Sequence, residues 1–314
     1  MSLWGGLRGL ASLLVGALFG LAAVAAEPPK LTEDQLALTD IRGVPGKPGL
    51  YVIPGFDGGL SGGNIAVRVT DSEVIIVDNK YAYSHDDIVE KVAKVTNLPI
   101  TTVLNTHHHF DHAGANADFI PYADVISHEN ARTNMLANRG PSANPAGAAP
   151  TTYTDSLTLH IDKAEVRVHH FGAGHTDGDS VIFFPDLKTI HTGDLFIWGR
   201  RLDNSKLAPF VDYANGGSAK AWIGTLDAIL ALDFDTVIPG HGVVLTRSEL
   251  EIFRHRFETM LARIAQAVTN GVPREEVEKI VDLSDLDWPL PVGRVAAIYD
   301  ELSNSANTHV RGAR

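Results

Sequence analysis

The string Thr106-His107-His108-His109-Phe110-Asp111-His112 constrains this chain more than any other stretch. Four His and one Asp fall within six residues, a costly choice for ordinary surface. The run Thr101–Asn105 before it is rich in Thr, Val and Leu and reads as a half-buried strand. The string therefore sits on the loop at a strand's carboxyl end, where a sheet supplies rigid support for chemistry. His107 and His109 are two apart, so in extended chain they point the same way. Asp111 and His112 follow at once and can turn toward a neighbouring position.

Three further turns carry matching side chains. His175 lies in Gly172-Ala173-Gly174-His175-Thr176-Asp177-Gly178. Asp194 lies in His191-Thr192-Gly193-Asp194-Leu195-Phe196, and His241 in Ile238-Pro239-Gly240-His241-Gly242. Each stands beside glycine at the end of an apolar run, where the backbone can take unusual angles and carry a side chain into a crowded place. The chain has no Cys, so metal ligands are restricted to imidazole and carboxylate. Stability must then come from packing and, locally, from bound metal, because no disulfide can form.

Short β-branched runs alternate with helical stretches. Strands are expected at Tyr51–Ile53, Asn64–Val69, Glu73–Val77, Thr101–Asn105, Val125–Ser127, Leu157–Ile161, Glu165–His169, Ser180–Phe184, Thr189–Thr192 and Thr236–Ile238. Helices are expected at His85–Thr96, His128–Asn138, Ser218–Leu232 and Ser248–Thr269. Weaker helical patterning follows at Glu275–Val281 and Val292–Leu302, with a loose tail after it. Asp186-Leu187 reads as a hairpin turn, and Gly140 to Pro150 as a flexible loop. The mixture predicts an α/β (α+β) unit of two sheets with helices outside.

His107-x-His109-x-Asp111-His112, followed in order by His175, Asp194 and His241, resembles the metallo-β-lactamase superfamily of metallo-hydrolases. The resemblance runs from about Gly49 to Leu245 and is specific in combination. It implies a four-layer αββα sandwich with a metal site at one edge of the paired sheets. It implies that His107, His109 and His175 hold one metal, that Asp111, His112 and His241 hold a second, and that Asp194 bridges them. Asp78, closing the strand Glu73–Val77, matches an early Asp that supports such sites from behind the ligands. His108 would point away, and His169, His170 and His191 match no ligand position.

The implied chemistry is hydrolysis. Two divalent ions, Zn²⁺ in the first place and Fe or Mn as alternatives, can share a water and lower its pKa toward neutrality. The resulting bridging hydroxide would open a lactam, lactone, ester or thioester while one ion polarises the carbonyl. Asp111 would act as the catalytic carboxylate that orients the nucleophile. A bridging Asp at position 194 is similar to the glyoxalase II and lactonase branches, and differs from lactamases with a Cys there. No Tyr stands between His175 and Asp194, where many acyl-homoserine lactonases have one. The segment Gly199–Gly217 is a candidate substrate wall, and Arg200, Arg201, Lys206 or Tyr213 in it could meet a substrate carboxylate. Trp198 and Trp222 read as core or wall.

Residues 1–26 carry only Arg8 as a charge, then an apolar run from Leu10 to Val24 and small residues through Ala26. That is the layout of a secretory signal peptide, which implies an exported protein, periplasmic or secreted, with no stable membrane anchor after cleavage. Residues 27–270 are expected to form the catalytic domain and 271–314 a helical extension of it. The net charge is −12, and −13 without the leader, since Arg8 leaves with it. A chain this acidic repels phosphate backbones, so the expected partner is a small-molecule substrate and not nucleic acid. The alternatives are a non-haem iron oxidoreductase on the same ligands and a non-catalytic accessory protein. Neither a Gly-x-Ser-x-Gly elbow nor a P-loop is present.

Overall fold

Successive side chains of a strand face opposite ways, and here the two faces of each sheet meet different partners. The computed structural model describes residues 31–137 and 143–311. The expected leader at 1–26 lies outside the described residues.

The first sheet runs in chain order: β1 (Arg42–Gly43), β2 (Leu50–Ile53), β3 (Ile65–Val69), β4 (Val74–Val77), β5 (Ile100–Leu104), β6 (Asp124–His128) and β7 (Thr151–Tyr153). Its first four strands are antiparallel neighbours, and β4 to β7 are parallel. The second sheet has the order β13 (Leu245–Thr246), β12 (Thr236–Ile238), β11 (Thr189–His191), β10 (Val181–Phe184), β9 (Ala164–His169) and β8 (Ser156–Ile161). Only β11 and β12 pair in parallel there. Every expected strand is present with its ends shifted by no more than one residue. The three strands that sequence reading missed, β1, β7 and β13, are sheet edges of two or three residues, too short to show alternation.

Three apolar clusters build the layers. Val52, Ala66, Ile75, Val77 and Leu104 of the first sheet meet Val166, Val168, Ile182, Phe184 and Ile238 of the second. The opposite face of the first sheet, with Ile65, Val67, Ile76 and Val103, packs on Ile88 and Val92 of α2 (His85–Ala93) and on Phe119. The opposite face of the second sheet, with Val181, Phe183, Ile190 and Val237, packs on α6 (Ala219–Leu230) and α7 (Arg247–Thr269) through Trp222, Leu226, Phe253 and Phe257. The result is the expected αββα sandwich. Val277, Val295, Ala296 and Ile298 join this last cluster, so the chain after residue 271 packs against α7.

Trp222 is fully buried and its Nε1–H donates to Leu195 O at 3.1 Å, which answers the core-or-wall alternative in favour of core. Three expectations need correction, and one helix was not read from the sequence. Helix α2 stops at Ala93, not Thr96, because Lys94 N–H already turns to Lys91 O. The tail is not loose through residue 311: a helix, α9 (Arg294–Arg311), continues past the expected Leu302. Residues 143–150 are packed and not a free loop. There Asn144 Nδ2 donates to Ala113 O, and Arg132 donates to the carbonyls of buried Ala148 and Ala149. Small residues mark turns in a sequence, but they equally allow close packing. Finally, α1 (Glu33–Leu38) was not foreseen, since it buries none of its residues and so shows no apolar stripe; a capping box of Thr32 and Gln35 starts it.

Candidate metal centre

Parallel neighbours end at the same edge of a sheet. Asp78 follows β4 and the His-rich string follows β5, while Asp194 follows β11 and His241 follows β12. The two rims are tied together directly. Ser180 N–H donates to Thr106 O at 2.7 Å, and Asn64 Nδ2 donates to Pro239 O at 2.7 Å and Gly242 O at 3.0 Å. A one-turn helix, α3 (Phe110–Ala113), starts after His109 and swings Asp111 and His112 back over the strand end.

All seven expected side chains converge. His107 Nε2 lies 3.2 Å from His109 Nδ1, which lies 2.9 Å from His175 Nε2. On the other side, His112 Nε2 lies 3.3 Å from His241 Nε2, and His241 Nε2 lies 3.3 Å from Asp111 Oδ2. Asp194 stands between the groups, with Oδ2 3.7 Å from His175 Nε2 and Oδ1 3.3 Å from His112 Nε2 and 3.4 Å from His241 Nε2. Asp194 Oδ1 is buried yet accepts no hydrogen bond among the described residues. An orphaned carboxylate oxygen among inward-facing ring nitrogens is costly unless a cation sits between them. The His/Asp donor set fits borderline divalent ions. His107, His109 and His175 form one group able to hold an ion, and Asp111, His112 and His241 another.

Outer contacts select the ring tautomers. His109 Nε2–H donates to Asp212 Oδ2 at 2.8 Å, and His175 Nδ1–H donates to Phe210 O at 2.6 Å. His112 Nδ1–H donates to Asp78 Oδ2 at 2.8 Å. His107 Nδ1–H donates to Thr106 Oγ1 at 3.0 Å, and that hydroxyl donates to Asp78 Oδ2 at 2.7 Å. In each ring the other nitrogen faces the cluster, and in the neutral ring it offers the lone pair that metal ligation needs. Asp78 therefore backs both groups, one directly and one through Thr106.

The electrostatics call for positive charge. Burial works against a proton on His112 and His241, but Asp111 and Asp194 outweigh it, raising His112 well above the imidazole range and His241 to about 9. Burial would raise Asp111 and Asp194 too, yet His112 and His241 beside them hold both below the usual carboxylate range. His107 and His175, starved of water and facing other imidazoles, are pushed down, His175 to about 4.

The glycines at this rim are there because nothing larger fits. A Cβ on Gly240 would lie 2.0 Å from Asp194 Oδ1, and one on Gly63 would lie 2.2 Å from His112 Cε1. Asp78 itself has φ 65°, a left-handed conformation that Asp tolerates.

Other predicted positions divide. His108 is buried with neither ring nitrogen hydrogen-bonded among the described residues, and with His109 and Asp212 it forms a further group able to hold an ion. His191 bonds the Asn64 carbonyl, His170 stacks on His128 at 3.9 Å between centroids, and His169 Nε2 has no hydrogen-bond partner among the described residues. Of the wall candidates, Arg201 and Lys206 line a cavity of about 650 Å³ in front of the cluster. Arg200 instead donates to Asn204 O and Tyr213 to Glu301. Sequence reading missed Asp212, Asp179 and Arg294. Asp179 accepts from Thr176 N at 2.9 Å and Thr176 Oγ1 at 2.6 Å, shaping the turn that carries His175; burial pushes it up to about 8. Asp212 is 103 residues from the ring it holds, and no local pattern marks such a partner.

The sequence profile of the Metallo-beta-lactamase superfamily matches residues 58–241. The chain is 26% identical over 211 residues to 2,4-dinitroanisole O-demethylase subunit alpha of Nocardioides sp. (strain JS1661), covering 65% of this chain and 60% of that subunit. It thus spans under two thirds of that relative's length. It is 24% identical over 238 residues to Metallo-beta-lactamase type 2 of Bacteroides fragilis, covering 73% of this chain and 88% of that enzyme. In fold it is similar to a sec-alkylsulfatase from Pseudomonas sp., with a TM-score of 0.66 at 16% identity over 85% of this chain and 50% of that one. The chain belongs to the metallo-β-lactamase superfamily and has His/Asp groups that could hold a metal.

Proposed function

We propose that this protein is a dinuclear hydrolase that opens a small carbonyl substrate: a lactam, lactone, ester or thioester. The observation that carries the reading is the convergence of His107, His109 and His175 on one side of Asp194, and Asp111, His112 and His241 on the other. Two divalent ions held there would acidify a water and polarise a carbonyl. Zinc fits the donor set, and iron or manganese fits it too.

The chain's own residues do the rest. Asp111 Oδ2, at the cavity wall beside His241, can accept a proton from the attacking water and orient it. Asp212, Asp78 and the Phe210 carbonyl hold the rings in one tautomer through the cycle. Gly58, Phe110, Ile197 and Phe210 flank the cluster and restrict water around it.

The relative named as an O-demethylase supports a second reading, an iron-dependent oxidoreductase on the same ligands. Metal analysis coupled to turnover separates the two. About two zinc ions per chain, with chelator-sensitive opening of a chromogenic cephalosporin, a lactone or a p-nitrophenyl ester, is the expected result. Tightly bound iron with no hydrolysis of any of the three would overturn it in favour of the oxidoreductase. We further propose export, on the pattern of residues 1–26. N-terminal sequencing of the protein from fractionated cells tests this; an intact Met1 in the cytoplasmic fraction would refute it.

A further inference from the structure

The cavity before the cluster is unusual for so acidic a chain: its outer wall carries Arg201, Lys206 and Arg294. These three cations are not equivalent. Lys206 is paired with Asp287. Arg201 is exposed and, among the described residues, its guanidinium makes no hydrogen bond or ion pair. Arg294 opens α9, beyond the part of the chain that matches the family profile. Its guanidinium lies over the Phe210 ring, 3.7 Å from the centroid, and Phe210 also presents its carbonyl to His175. Contact with the ring face favours the cation but uses none of its N–H donors. Arg294 Nη1 is closed off from water and has no hydrogen-bond partner among the described residues.

A buried donor left unpaired on a charged side chain costs free energy, and among the described residues no acceptor relieves Arg294 Nη1. Burial disfavours the charge, and Arg201 opposes it further while Asp212 favours it. Two guanidiniums on one wall of a cavity, one lying over an aromatic ring and both without an ion-pair partner among the described residues, make a fork for an oxyanion.

We propose that Arg294, assisted by Arg201, binds an anionic group of the substrate, a carboxylate or sulfonate on the part remote from the reacting bond. The word substrate rests on the hydrolase reading; the anion subsite does not. Two p-nitrophenyl esters of similar length test it: the butyrate, which ends in methyl, and the monosuccinate, which ends in carboxylate. The native enzyme is expected to favour the monosuccinate in kcat/KM, mainly through KM. R294M is expected to reduce that preference by about 10- to 100-fold, the range for a charge-assisted hydrogen bond. R294K, which keeps charge but loses the planar fork and the stack, should restore only part of it. An equal fall for both esters, with the preference intact, would overturn the proposal.

Binding of benzenesulfonate and its neutral counterpart methyl phenyl sulfone, followed by calorimetry on the metal-loaded protein, needs no turnover. Tighter sulfonate binding that R294M abolishes supports the subsite even if neither ester is hydrolysed, in which case only the hydrolase reading fails. Sulfonate selectivity that survives both R294M and R201M refutes the subsite. R201M guards against misfolding of the first variant, because Arg201 is exposed and supports nothing else.

Discussion

Replacing Asp78 by Asn tests whether one buried carboxylate sets the state of both halves of the site. The substitution is unusually clean. Asp78 is fully buried at φ 65°, and Asn is among the few residues that accept that conformation, so the backbone has no reason to move. What changes is the count of acceptors. Asp78 Oδ1 accepts from Thr106 N at 2.7 Å, and Oδ2 accepts from Thr106 Oγ1 at 2.7 Å and His112 Nδ1 at 2.8 Å. An amide offers one oxygen and must aim its NH₂ at one of those two places. If NH₂ faces Thr106 N–H, a buried donor is left unpaired, at about 1–3 kcal/mol of stability. If NH₂ faces His112, then His112 Nδ1 must accept, the proton moves to Nε2, and the nitrogen that faces the cluster loses its lone pair. Outer contacts of this kind change metal affinity by about 10- to 100-fold. The expected result is therefore one of two linked outcomes. Either the metal-free protein melts several degrees lower, or one metal equivalent weakens by that factor in competition with a chromogenic chelator. A D78N variant with unchanged melting and both metal affinities within twofold would refute the argument that Asp78 selects the tautomer.

Gly240→Ala places a Cβ 2.0 Å from Asp194 Oδ1 and within 2.7 Å of the Gly193–Asp194 backbone. It should displace the carboxylate shared by the two groups and cost about 1–3 kcal/mol through overpacking; metal analysis showing two full equivalents at native affinity would refute this. Lys80 is buried and donates to Pro54 O at 2.8 Å and Ser61 O at 2.6 Å, fastening the loop whose Gly58 and Gly59 line the cavity. Burial lowers it to about 7, so the unfolded chain binds this proton more tightly than the folded one between about pH 7 and the ordinary lysine value near 10.5. The destabilisation is full below pH 7 and is lost as pH rises through that window. Denaturant unfolding of native protein and K80M should thus show the native protein gaining relative stability from pH 7 to 10; a flat or falling difference would contradict it.

Much of this protein is local, and what is local was legible in its residues. Ten strands stood out because alternating or continuous β-branched runs survive in any context, and each was found with its ends shifted by no more than one residue. His107, His109, Asp111 and His112 stood out as a His-rich string after a strand, and His175, Asp194 and His241 as turns beside glycine at strand ends; the parallel pairs β4–β5 and β11–β12 then deliver the string, Asp194 and His241 to matching edges of the two sheets. Edge strands of two or three residues, the solvent-facing α1 and the continuation of α9 gave no periodic signal to read. The groups that tune the centre were invisible for a different reason. Asp212 holds His109 across 103 positions, and Arg294 stacks on Phe210 from a helix outside the matched region. Residue types, their spacing and the family resemblance they carry named the candidate metal-ligating side chains. Only the packing of α9 and the 199–217 segment against the second sheet's helices decided which charges face the cavity and which are spent on neighbours, because that choice depends on distances through space that no run of adjacent residues encodes.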